Sequence, residues 1–220
     1  EGLLPMLQAG TVEALLEAAE AAAAAGQQQQ QQQHQQTAND VATECMRSVC
    51  LALEKAHDRH CKVPTPVVGF LRARGAEIVM AQTGRGGLSS LGIELVACLT
   101  EFPELAPALV KCGAHKALAA AIAQAQDDDR IVSYACLALG RIAADYRGGR
   151  IADARAITAV AGAIKRSNSA KGDVMYTACY AMATLLNDAH PDMYKIAVSQ
   201  GILDIAVGAL RDPTASLSSY

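Results

Sequence analysis

Tryptophan is absent from this chain of 220 residues, phenylalanine occurs twice, and aromatic residues make up only 4%. A core of useful size must therefore be filled by aliphatic side chains. The chain supplies them: 51% of its residues are hydrophobic, and alanine alone accounts for about a fifth. Alanine and leucine are among the strongest helix formers. Composition thus points to an all-α protein, and the length suffices for one domain with a sizeable core and also admits two; a single domain over residues 1–220 is expected.

Other absences narrow the function. Dense Lys/Arg runs are missing and the net charge is −3, so the basic stripe of a nucleic-acid binder is not there and no nucleic-acid partner is expected. An uninterrupted apolar run of about 18 residues is also missing, so no membrane span is expected. The N-terminus lacks the basic start of a secretory signal. The seven cysteines are odd in number and form no C-x-x-C pair. Most sit in apolar helical runs, where a free thiol behaves as a small hydrophobe. That usage suits a reducing compartment, the cytosol or the nucleus.

What the chain does contain is a repeat. Cys50-Leu51-Ala52-Leu53 returns as Cys136-Leu137-Ala138-Leu139, 86 residues later and twice a period of 43. At one period, "SYACLALGRIAAD" (133–145) falls on "YTACYAMATLLND" (176–188), pairing Ala135 with Ala178, Cys136 with Cys179 and Ala138 with Ala181. The same register reaches back to "LGIELVACLTEF" (91–102) and "SVCLALEKAHDR" (48–59). Periods of this size mark stacked helical units.

Between these segments run shorter apolar helices that start at Gly or Ala: residues 10–21, 75–84, 113–125, 156–167 and 201–212. Each follows another short helical stretch, among them 103–112, 149–155 and 191–200. Pro103, Pro191 and Pro64 stand near the starts of such stretches, where a missing N–H costs nothing. Glycine at the junction permits a sharp turn. The unit is a short helix, a Gly junction, a second helix, a loop and a longer third helix. Along the third helix, Val132, Cys136, Leu139, Ile142 and Ala143 recur at helical spacing and form the expected inward stripe.

Three helices in about 42 residues, joined at glycine, resemble the armadillo repeat. The resemblance covers nearly the whole chain. The units run roughly 1–59, 60–102, 103–146 and 147–189, with a partial fifth at 190–212. The resemblance implies a right-handed superhelix, an armadillo-like solenoid. Since the chain begins at Glu1 and its fifth unit stops after a second helix, a longer parent chain is expected. Solenoid ends need polar caps, so the helix starting at Gly201 is expected to leave an apolar face, including Ile205 and Leu210, that needs cover.

Armadillo proteins bind extended partners along a concave face lined by third helices, where importin-α and catenin relatives carry W-A-L-x-N-L. The positions matching the Asn are Lys55, Cys98, Arg141 and Thr184; those matching the Trp are Leu51, Glu94, Leu137 and Tyr180. One turn earlier lie Ser48, Leu91, Tyr134 and Thr177. No Asn and no Trp occupies a ladder site, so a receptor for nuclear import signals is not expected. Lys55 and Arg141 suit an acidic or phosphorylated partner, because Arg clamps a carboxylate bidentately. Tyr134 and Tyr180 offer flat, rigid contact area. The groove expected from the resemblance is thus Leu51, Lys55, Glu94, Cys98, Tyr134, Leu137, Arg141, Tyr180 and Thr184. In this register Cys50, Cys136 and Cys179 face the core.

The remaining motifs carry little chemistry. The tract at 26–38 within "AAAAAGQQQQQQQHQQTAND" is expected to be disordered, since it has no apolar area to bury. Asn39 or Asp40 can cap the helix after it. His57, His60 and Cys61 lack a standard metal spacing and a fourth ligand. Gly84-Arg85-Gly86-Gly87 lacks the lysine of a phosphate loop. Asp127-Asp128-Asp129 complements a helix N-terminus, and calcium would need spaced oxygens. His190-Pro191-Asp192 lacks the preceding basic helix of a J-domain and reads as Pro191 opening a helix. Cys112 and His115 straddle a Gly junction. With no nucleophile, base or metal constellation, no enzyme activity, cofactor or metal is expected. The function expected from the resemblance is a non-enzymatic scaffold for a partner protein or extended peptide. The alternative is a structural subunit of a large cytoskeletal assembly such as a ciliary axoneme.

Overall fold

The computed structural model describes residues 14–15, 17–18, 48, 51–52, 55, 89–125, 128–146, 151–167, 173–187 and 189–211. Among them every regular element is a helix, so the protein is all-α. The Gln tract at 26–38, Asn39, Asp40, Cys50, the His57–His60–Cys61 group and the Gly84–Gly87 loop lie outside the described residues. Contacts divide the chain into two units, Glu1–Ala114 and His115–Tyr220.

In the first unit, α1 spans Ser90–Leu99, a 3-10 turn spans Pro103–Leu105 and α2 spans Ala106–Lys111. Ser89 caps α1, its Oγ accepting from the Gly92 N–H at 3.1 Å, which satisfies one of the donors a helix start leaves open. Pro103 opens the 3-10 turn, as its missing N–H allows. Gly113 follows α2 with φ of 83°, a left-handed conformation that an L side chain resists. The first-helix stretch at 103–112 and the glycine junction are thus both seen.

In the second unit, α3 spans Ala114–Gln124 (its first residue closing the preceding unit), α4 Asp129–Asp145, α5 Ala154–Arg166, α6 Asp173–Asn187, α7 Pro191–Ser199 and α8 Ile202–Arg211. Capping follows the polar residues. Asp128 Oδ1 accepts from the Ile131 N–H at 3.1 Å, and Asp153 Oδ1 from the Ala156 N–H at 2.7 Å. His190 caps α7, with Pro191 at its first turn. Gly201, with φ of 73°, forms the α7–α8 junction.

One expected element is not seen among the described residues. Residues 151–153, inside the expected short helix at 149–155, are not helical. Asp153 adopts an extended backbone and caps α5, so the chain enters that helix two residues before the expected start at 156.

The core is aliphatic. Leu118 and Ile122 of α3, Cys136 and Leu139 of α4, and Ile157 and Val160 of α5 are fully buried. Burying each large aliphatic side chain contributes roughly 1.5–3 kcal/mol. The expected stripe on α4 is buried at Val132, Cys136, Leu139 and Ile142, while Ala143 is only partly covered. Helix α6 packs on α4 and α5, α7 on α5 and α8, and α8 also on α5.

Neighbours α4 and α6 run in the same direction. Ser133 and Thr177 share a 3.3 Å hydrogen bond near their N-termini, and Gly140 lies against Tyr180 and Ala181 further along. A Cβ on Gly140 would come within 2.7 Å of the Tyr180 ring and 3.0 Å of the Ala181 Cα. The missing side chain therefore permits the close approach of the two helices. Helices α3 and α5 also run parallel: Asp153 at the start of α5 is within electrostatic reach of His115 at the start of α3, and Arg166 Nη2 at the end of α5 donates to the Ile122 carbonyl near the end of α3 at 3.0 Å.

Candidate partner-binding site

The α4 residues Arg130, Tyr134, Leu137, Arg141 and Asp145 follow one another at three- or four-residue steps and so share one face of the helix. On α6, Tyr176, Tyr180 and Thr184 do the same. At the N-terminal ends of the two helices lies a cleft of about 500 Å³, lined by Asp129, Arg130, Ser133 and Tyr134 of α4 and by Asp173, Tyr176 and Thr177 of α6. The Arg130 guanidinium sits 5.7 Å from the centre of the Tyr134 ring, within range of a cation–π attraction. Tyr176 is 58% exposed.

Further along the same face stand Arg141, Asp145 and Tyr180. Burial pushes the Tyr180 phenol above its usual range. Arg141 pulls it back, and Asp145 and Tyr176 add to the rise. Arg141, Asp145 and Tyr176 are therefore each within electrostatic reach of the Tyr180 phenol. The phenol stays protonated at neutral pH and can both donate and accept a hydrogen bond.

The expected groove residues divide between the two units. Tyr134, Leu137, Arg141, Tyr180 and Thr184 come together on α4 and α6, each partly exposed. Thr184 is already engaged: its hydroxyl is 3.0 Å from the carbonyls of both Tyr180 and Ala181 in its own helix. Leu51, Lys55, Glu94 and Cys98 belong to the first unit. There Leu51 and Lys55 are exposed and Glu94 is half-buried.

Two expectations need correction. Cys98, expected in the groove, is buried at 7% exposure. Helix α1 is apolar around most of its circumference, so the ladder position falls inside. Cys179, expected in the core, is exposed. The covered face of α6 is Val174, Thr177, Ala178, Ala181, Met182 and Leu185, set by its packing against α4 and α5, and Cys179 lies off it. Cys136, by contrast, is buried as expected.

The chain matches no known family model, no curated protein and no solved structure. Among the described residues, no group of three or more His, Cys, Asp or Glu is placed to hold a metal ion. No single described helix is long and apolar enough to cross a membrane. The cleft residues Arg130, Ser133, Asp173 and Tyr176 escape the ladder register because that register marks only one position per turn. The signal that finds them is the helical spacing carried one turn further toward each N-terminus.

Proposed function

We propose that this chain is a non-enzymatic scaffold of armadillo-like architecture, a right-handed superhelix that binds an extended partner segment along the face shared by α4 and α6. The observation that carries the reading is a pair of hydrogen bonds, Ser133–Thr177 and Arg166–Ile122, each spanning 44 residues. They join α4 to α6 and α3 to α5, helices that hold the same place in successive sequence units. Neighbours that run parallel one period apart are what a stack of similar units produces. A simple up-and-down bundle would pair neighbours antiparallel.

Binding rests on Arg130, Tyr134, Arg141, Tyr176 and Tyr180, since Tyr and Arg dominate the energetics of protein interfaces. The mixture of guanidinium groups and phenol hydroxyls suits a segment with carboxylate or phosphate groups.

The test is quantitative affinity capture of partners by the full chain, run beside Arg141→Glu and Tyr176→Ala variants of matched thermal stability. Specific partners should fall at least tenfold in both variants. Undiminished capture by both would remove the α4/α6 face from the binding surface.

A further inference from the structure

A second groove, sharing no residue with the α4/α6 cleft, runs between α3 and α5. Its volume is about 970 Å³. It exists because the facing side chains are small: Ala119 and Ala123 on α3, and Ala156, Ala159 and Gly162 on α5. Interdigitating Leu or Ile would fill the space between two helices, whereas methyl groups leave a trough. From His115 to Ala123 the trough is eight residues long, or about 12 Å at the helical rise. About four residues of extended chain cover that distance.

The charges at its two ends have one dominant sign. Lys116 and Arg155, both exposed, flank the N-terminal end, and Arg166 stands at the C-terminal end. Asp153 is the carboxylate among the lining residues, and its Oδ1 already accepts from the Ala156 N–H. This cationic cluster stands out on a chain of net charge −3.

Arg166 is held in place. One of its five N–H donors goes to the Ile122 carbonyl across the groove. Its Nη1 lies over Gly162, where an added Cβ would be 3.2 Å away. The bond to Ile122 draws the guanidinium to the groove, which reduces the ordering cost of binding. At the other end, His115 Nδ1 is buried without a hydrogen-bond partner among the described residues.

We propose that the α3/α5 groove is a docking site for a short acidic segment of a partner protein. Lys116 and Arg155 take carboxylates at one end, Arg166 takes one bidentately at the other, and small side chains between them lie over the alanine floor. The lining contains no Phe, Tyr or Trp ring on which nucleic-acid bases would stack, which favours a peptide occupant. The site does not depend on the α4/α6 reading.

The test is fluorescence anisotropy with the 220-residue chain and a fluorescein-labelled octapeptide with the core Glu-Glu-Ala-Ala-Glu-Glu. Binding should weaken at least tenfold in the Lys116→Glu/Arg155→Glu double variant. It should weaken similarly in Ala123→Glu, which places a carboxylate at an exposed position of the trough and leaves Lys116, Arg155 and Arg166 unsubstituted. Asp153→Asn, which removes the lone lining carboxylate and keeps a capping side chain, should tighten binding. Lys111→Glu, a charge reversal at an exposed position that lines neither cleft, should leave it within twofold. The proposal is overturned if the all-Gln peptide binds equally well, if Arg141→Glu abolishes binding while the groove variants do not, if a single-stranded oligonucleotide of equal charge binds more tightly and displaces the peptide, or if no binding is seen at millimolar peptide.

Discussion

Gly140 of α4 packs against the ring of Tyr180 on α6, so close that a Cβ there would meet ring carbons at 2.7 Å. The ring atoms concerned, Cδ1 and Cε1, are not the tip of a flexible side chain, and the next neighbour is the backbone of Ala181. Alanine at a helix interior normally stabilises by about 1 kcal/mol relative to glycine. At position 140 the sign should reverse, because overpacking costs roughly 1–3 kcal/mol. Gly140→Ala should therefore lower Tm by several degrees. A rise in Tm on differential scanning would show that α4 and α6 do not approach at this point.

Asp153 and Asp128 should each be worth about 1 kcal/mol as helix caps. Asp153→Ala and Asp128→Ala should lose that stability in urea unfolding, while Asp153→Asn and Asp128→Asn should keep most of it. If the Asn variants fall as far as the Ala variants, charge rather than capping is what matters at these positions.

His115 gives a pH dependence with a definite sign. Burial, and then the neighbouring Lys116, hold its pKa below the ordinary 6.5, with Asp153 pulling the other way. The unfolded chain therefore takes up a proton at this site more readily than the folded one. The stability involved is fully present above pH 6.5 and is lost as pH falls from there through the lowered folded value. Thermal melts of His115→Gln should show a shallower acid-side loss than the unsubstituted chain. Identical acid-side slopes would remove His115 from the linkage.

The cysteines should differ in reactivity. Burial pushes the Cys136 thiol up to about 12, so at pH 8 only about one molecule in ten thousand carries the reactive thiolate. Cys179 is exposed, although partial burial of its thiol also raises its pKa. Brief iodoacetamide treatment of the native protein, read by peptide mass spectrometry, should label Cys179 and spare Cys136 until denaturant is added. Equal labelling of both in the native state would contradict the packing of α4.

Much of the local structure was legible. Pro103, Pro191, Gly113 and Gly201 announced their helix boundaries because proline and glycine restrict or release the backbone without help from distant residues. The stripe Val132, Cys136, Leu139 and Ile142 announced the buried face of α4 through its spacing alone. The end helix was legible only in part. An apolar face is exposed on α8, but it shows at Leu203 (58%) and Val207 (44%), whereas Ile205 is half-covered. Leu210 lies outside the described side chains. The spacing indicated that α8 has an apolar side; its contacts with α5 and α7 decided which residues on that side were covered.

The amino-acid sequence by itself determined that the chain is helical, where most of the described helices begin and end, and which stripe of α4 faces inward, because those outcomes follow from propensity, capping and a 3.6-residue period acting within a few turns. Tertiary structure alone decided that Cys98 is inside and Cys179 outside, that Gly140 packs against Tyr180, and that alanine floors and Arg166 leave a cationic trough between α3 and α5. Those outcomes depend on which helix lies against which, and residues some 40 positions apart carry no local signal of their meeting.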